Sequence, residues 1–137
     1  MTLPEAEIII RVPFHDVDLM EVVWHGHYAK YFEIARCALL DKIAYNYREM
    51  RESGFAWPVI EMKTRYAKPM RLDQLIKVRA RMTEFEMCLK IAYLIADHAT
   101  SERLTKGHTV QVAVDMKSQE MLPSSPEILF RKLGVTA

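Results

Sequence analysis

The residues with the most chemical capacity in this chain stand close together, in FHDVDLMEVVWHGHY, residues 14–28. Asp16 and Asp18 are two apart, and His25 and His27 flank a glycine. Carboxylates and imidazoles at this density can hold a metal ion, move protons, or order a polar loop by binding its own amides. The metal reading is the weakest of the three. The spacing matches no common zinc pattern, and neither Cys37 nor Cys88 has a second cysteine at ligand spacing. No metal and no cofactor is therefore expected. Acid–base chemistry requires flanking elements that bring a carboxylate and an imidazole to one place.

Upstream, EAEIIIRV (5–12) is rich in Ile and Val and ends at Pro13, which predicts a first strand at a sheet edge. Downstream, the period changes. Tyr28, Phe32, Ala35, Leu39 and Ile43 recur at three- and four-residue steps, with Lys30, Arg36, Asp41 and Lys42 mostly on the other side. This is an amphipathic helix starting near His25–Gly26. NYRE (46–49) has the form of a capping box, so the helix should break near Tyr45 and a short second helix should run to Gly54.

The rest reads as β structure: VIEMKTRYA (59–67), QLIKVRARMTEF (74–85), MCLKIAYLIAD (87–97) and KGHTVQVAVDM (106–116). In the second of these, Ile76, Val78, Ala80 and Met82 share one face, while Leu75, Lys77, Arg79, Arg81 and Thr83 share the other. The third is nearly continuous in apolar residues and reads as buried on both faces. The fourth turns Val110, Val112, Val114 and Met116 one way, after a turn in TSERLTKG. LPSSPEILFRKLG (122–134) reads as a proline-marked loop with a short helix. The order predicts one α+β domain over residues 1–137, a five-stranded antiparallel sheet wrapped around one long helix. One helix cannot cover both faces of such a sheet, so a homo-oligomer, dimer or tetramer, is expected.

The 19 basic and 18 acidic residues nearly cancel, which argues against a nucleic-acid partner held by bulk charge. No stretch approaches the ~18 apolar residues of a membrane span, and the N-terminus lacks the form of a secretory signal. A cytoplasmic protein with two reduced, buried thiols is expected.

FHDVDLMEVVWHGHYAKYFEIAR resembles the signature of the hotdog-fold acyl-CoA thioesterases, in their 4-hydroxybenzoyl-CoA thioesterase-like branch. The matching residues are Phe14, Asp16, Asp18, Val22, Val23, Trp24, His25, Tyr28, Phe32, Glu33, Ala35 and Arg36. The resemblance extends through VIEMKTRYAKPMRLDQLIKVRARM to the proline-marked tail and implies a hotdog fold. It also implies hydrolysis of acyl-CoA to free acid and CoA, with Asp18 as nucleophile or general base. Asp16 takes no catalytic role in this reading, and His27 is a solvated or interface residue. The backbone N–H of His25 becomes an oxyanion donor at the helix N-terminus, where amides lack intrahelical partners. Gly26 would let the acyl group approach the backbone, and the His25 imidazole is a further catalytic candidate. Trp24 and Tyr28 would line the acyl slot. Trp57, Val59 and Glu61 of a partner subunit would form its far wall. Glu33 on the helix is a supporting or substitute carboxylate.

Two alternatives stay open: hydrolysis of acyl groups from an acyl carrier protein of a polyketide or lipid pathway, and a non-catalytic module that binds acyl thioesters. Three departures from the family's pattern bear on them. Glu21 stands where the loop usually has glycine. Phe14 replaces a tyrosine of some relatives. The EFEM turn (84–87) is acidic where some relatives carry arginines for the nucleotide. Lys63, Arg65, Lys68 and Arg71 are then the candidates for a basic pocket mouth.

Overall fold

The apolar stripe after Gly26 folds as expected, and the sheet curls around it. The structure, a computed structural model, describes residues 2–135. Its elements in chain order are β1 (Glu5–Arg11), α1 (Tyr28–Lys42), α2 (Tyr47–Glu52), β2 (Phe55–Ala56), β3 (Val59–Tyr66), β4 (Leu75–Glu84), β5 (Leu89–Asp97), β6 (Arg103–Gln111), β7 (Val114–Asp115) and α3 (Glu127–Leu133). Five strands form one antiparallel sheet in the order β1-β4-β5-β6-β3, and β2 pairs with β7 in a separate ribbon. β1 and β3 are the edges. No helix among the described residues is long and apolar enough to cross a membrane.

The core forms where α1 meets the concave face of the sheet. Tyr31, Phe32, Ala35, Leu39 and Leu40 are buried on the helix, against Ile76, Val78, Ala80 and Met82 of β4 and Leu89, Ile91, Tyr93 and Ile95 of β5. Phe32 stacks on Tyr93 with ring centroids 4.4 Å apart. The break between α1 and α2 has the expected cause. The Asn46 side chain accepts from the Tyr47 amide at 2.8 Å, while the Asn46 amide donates to Glu49 Oε1 at 2.9 Å. Gly54 follows α2 at φ 91°, the left-handed conformation that glycine adopts without a Cβ penalty.

Four expectations are corrected. β5 is not buried on both faces: Leu89, Ile91, Tyr93 and Ile95 point inward, and Lys90, Ala92, Leu94 and Ala96 between them are only half-buried. α1 covers one side of the sheet only, so the apolar run alternates after all. β6 starts at Arg103, because the turn is completed earlier by the Asp97 amide donating to Glu102 O at 2.9 Å. Its inward side is Thr105, Thr109 and Gln111, the reverse of the valine face. Two of them have partners there: Thr109 Oγ1 lies 2.7 Å from the Tyr93 hydroxyl, and Gln111 Nε2 donates to Trp57 O at 2.8 Å, while Thr105 Oγ1 and Gln111 Oε1 have none among the described residues.

Arg36, placed by periodicity on the outer side of the helix, is buried. Its guanidinium donates to the Tyr47 hydroxyl at 2.7 and 3.2 Å and reaches the Tyr93 hydroxyl at 3.5 Å, which offsets desolvation of the charge. Finally, Cys37 and Cys88 are free but only half-buried; partial burial pushes both thiols up.

Candidate functional site

The segment before α1 makes a tight reversal. The Asp18 amide donates to Val22 O and the Glu21 amide to Asp18 O, both at 2.9 Å, and Val17 bridges Val23. Asp18 Oδ1 accepts the Met20 amide at 2.8 Å, so the carboxylate turns back over its own loop. Glu21 sits at φ 60°. This is the position where the resemblance leads one to expect glycine, and the backbone shows why: a side chain there costs about 1 kcal/mol. Glu21→Gly is expected to stabilise the fold by about 1 kcal/mol. Chemical denaturation checks it, and an unchanged or lower midpoint would refute the strain.

Asp16 and Asp18 have opposite surroundings. Asp16 is 1% exposed. It accepts a hydrogen bond from the Tyr31 hydroxyl at 2.6 Å and another from Lys30 Nζ, both on α1. Its carbonyl also accepts the Trp24 amide at 3.0 Å. Burial alone would raise the Asp16 carboxyl, but the bonds from Lys30 and Tyr31 outweigh it and hold the group below its usual range. Burial and that same carboxylate push the Tyr31 hydroxyl far up, so it stays a donor. Asp16 thus ties the loop to the helix.

Asp16→Ala is expected to cost about 3 kcal/mol, since it leaves the buried Tyr31 hydroxyl without its acceptor. A folded-state pKa below the unfolded one means the contribution is complete above about pH 4 and fades as pH falls further. Acid unfolding followed by circular dichroism should show that limb in wild type and a flatter one in Asp16→Ala.

His25–His27 form one 3-10 turn that runs directly into α1. The His27 amide donates to Trp24 O at 2.9 Å, whereas the His25 and Gly26 amides have no acceptor among the described residues. They are the unpaired N–H groups of a helix start. A Cβ at Gly26 would meet the Trp24 indole at 2.0 Å, so the glycine makes room for Trp24.

Asp18, His25 and Tyr28 come together in one cleft of about 350 Å³, with Val22, Tyr66 and Lys68 also in its wall. Tyr66 and Lys68 come from β3 and its exit, and the role of Tyr66 carried no signal in the sequence beyond a strand-end aromatic. Its hydroxyl donates to His25 O at 3.1 Å, and its ring meets Tyr28 edge-on at 4.7 Å. Tyr28 is buried, which raises its hydroxyl above the ordinary tyrosine range. Lys68 pairs with Glu102 at 3.1 Å, and Arg71 bridges Val22 in the loop. Lys63 and Arg65 lie instead on the outward side of β3, opposite His108 and Lys106 of β6.

Other expected site residues are placed elsewhere. Trp24 is half exposed beside the cleft, its ring 4.9 Å from that of His25. Trp57 is buried in the core of its own chain, and its indole N–H donates to the Tyr45 hydroxyl at 3.1 Å. Val59 is exposed on the β3 edge. Glu61 pairs with His108 at 2.8 Å. Glu33 is exposed on α1 and lies 3.7 Å from Arg36, outside the cleft wall. The cleft therefore offers a solvent-accessible carboxylate and His25, whose imidazole stands at the start of a turn with two amides that no described residue accepts.

The family model described as the thioesterase-like superfamily matches residues 12–131. An esterase candidate of Synechocystis sp. is 29% identical over 128 residues, 93% of this chain and 77% of that one. The acyl-CoA thioester hydrolase YbgC of Escherichia coli is 24% identical over 106 residues, 77% of this chain and 79% of that one. Among solved structures, the DHNA-CoA thioesterase of Staphylococcus aureus has a similar fold, with a TM-score of 0.79 and 23% identity over 93% of this chain and 82% of that chain.

Proposed function

Since this chain belongs to the thioesterase-like superfamily and is a thioester hydrolase of the hotdog fold, we propose that it cleaves acyl-CoA to free acid and CoA in the Asp18 cleft. One observation carries this reading: the exposed Asp18 carboxylate shares a cleft with the His25–Gly26 turn, whose amides have no acceptor. Asp18 Oδ1 is engaged by the Met20 amide, so Oδ2 is the atom available for chemistry. The thioester carbonyl lies with its oxygen toward the His25 and Gly26 amides. Oδ2 then either adds to the carbonyl carbon or takes a proton from a water that adds.

Both routes convert the carbonyl oxygen to an oxyanion held by the two amides, where fixed donors act most strongly. Collapse breaks the C–S bond and releases the CoA thiolate, which gains a proton from the His25 imidazole or from solvent. In the direct route, water afterwards opens the Asp18 anhydride and restores the carboxylate.

A second subunit completes the site. The β3 edge carries exposed Val59, Ile60, Met62 and Tyr66 beside the charged Glu61, Lys63 and Arg65, and its unpaired backbone is open to another strand. Pairing of two copies along this edge would cover those side chains and set the partner's wall, Val59 included, against the cleft. Met62→Lys should then give monomers by sedimentation and a turnover reduced by about tenfold or more. Oligomers that persist with the lysine in place would exclude this edge.

The function itself is tested by steady-state release of thiol from short, long and aromatic acyl-CoAs, corrected for Cys37 and Cys88. Turnover on at least one class is expected. None on any would overturn the reading.

A further inference from the structure

The net charge is +1, yet the convex face of the sheet, turned away from α1 and the core, is strongly basic. Register places the side chains in rows across the strands. One row runs Glu7, Arg79, Leu94, Lys106, Arg65, and the next runs Glu5, Arg81, Ala92, His108, Lys63. Lys77 pairs with Ala96, and Arg103 follows Ala96 on β6. The central strand β5 thus presents only Ala92, Leu94 and Ala96 between two lines of cations: Lys77, Arg79 and Arg81 on β4, and Arg103 and Lys106 on β6. Two shallow depressions of about 250 and 180 Å³ lie end to end along it.

Acidic residues neutralise this trough only along its β1 side. Glu7 pairs with Lys77 and Arg79 at 3.7 and 3.8 Å from the β1 edge. Arg81, Arg103 and Lys106 form no ion pair among the described residues. Lys106 and Arg65 stand directly opposite on the neighbouring strands β6 and β3, a like-charge pair that is costly unless a partner offsets it.

We propose that this trough docks an acidic amphipathic helix of a partner protein. The two cation lines are about 10 Å apart, two strand spacings, and a helix with its side chains is about 10–12 Å across. A helix lying along β5 sets its apolar stripe on Ala92, Leu94 and Ala96 and its carboxylates against both lines. Three of the cations are arginines, whose planar fork suits carboxylates. The trough offers no aromatic ring for stacking, which disfavours single-stranded nucleic acid. A second copy of the same face would oppose cation to cation.

The test uses a fluorescent helical peptide of about 15 residues, with Leu and Ala on one stripe and Glu flanking it, titrated with the whole protein at low and raised salt. Wild type should bind it with salt-sensitive affinity, and Arg81→Gln/Arg103→Gln/Lys106→Gln should weaken binding by about tenfold or more. Removing the same charge elsewhere, with Arg48→Gln/Lys117→Gln/Lys132→Gln, should change it by less than about twofold. Hydrolysis of acyl-CoA at the wild-type rate by the trough variant would confirm that it is folded. Equal loss in both triple variants would reduce the effect to net charge and overturn the proposal. Absence of peptide binding would do the same, as would tighter binding of tripolyphosphate or a single-stranded oligonucleotide at these residues.

Discussion

Asp18→Asn is expected to lower kcat for acyl-CoA hydrolysis by about 10²-fold or more, with little change in melting temperature. The substitution isolates the charge. Asparagine keeps a side-chain oxygen that can accept the Met20 amide, so the reversal from Asp18 to Val22 retains its geometry. It removes the nucleophile in one route and the base in the other. Asp18 is exposed at the loop and packs nothing in the core, so folding should not suffer. Asp16 is the informative contrast: its replacement should act first on stability, because it holds Lys30 and Tyr31. If Asp18→Asn turned over at the wild-type rate, the carboxylate would have no place in the reaction. The His25–Gly26 amides would then need another source of nucleophile.

Gly107→Ala is expected to destabilise the fold by about 3 kcal/mol and lower the melting temperature by about 10 °C. A Cβ at this position would lie 2.5 Å from Lys63 O and 2.7 Å from the Phe32 ring. Neither neighbour yields readily. The carbonyl belongs to β3, whose Thr64 pairs directly with Gly107, and the ring is stacked on Tyr93. Relief would require β3 to part from β6 or α1 to lift off the sheet. The second movement also shifts Tyr28, one helical turn from Phe32 and part of the cleft wall. Catalysis should therefore fall along with stability. A loss below about 1 kcal/mol in calorimetry would show that the sheet opens locally at no great cost and would remove Gly107 as the point of closest helix–sheet approach.

The convex trough and the cleft occupy different parts of the sheet, so substitutions at Arg81, Arg103 and Lys106 and at Asp18 should act independently. That separation lets failure of the docking proposal be told apart from failure of the hydrolase reading.

The amino-acid sequence by itself determined the features that depend on near neighbours. The α1 stripe, the Asn46–Glu49 box, the inward face of β4 and the strand stop before Pro13 all follow from periodicity, capping chemistry and backbone sterics, which act over a few residues. The loop motif likewise identified Asp18 and His25 as the residues to watch. Only the tertiary structure decided the rest, because there the deciding partner is distant in the chain. Thr109 and Gln111 face inward because the Tyr93 hydroxyl and the Trp57 carbonyl await them. Arg36 is buried because Tyr47 and Tyr93 surround its guanidinium. Trp57 and Glu33 are positioned by the same kind of contact: one meets Tyr45 in the core, and the other meets Arg36 at the surface. Tyr66 joins the cleft only because β3 lies at the sheet edge beside the first turn of the helix, where its hydroxyl meets the His25 carbonyl. Periodicity can say which side of an element is apolar, but it cannot say where another element supplies a hydrogen-bond partner that lets a polar side chain turn inward, as for Thr109 and Gln111.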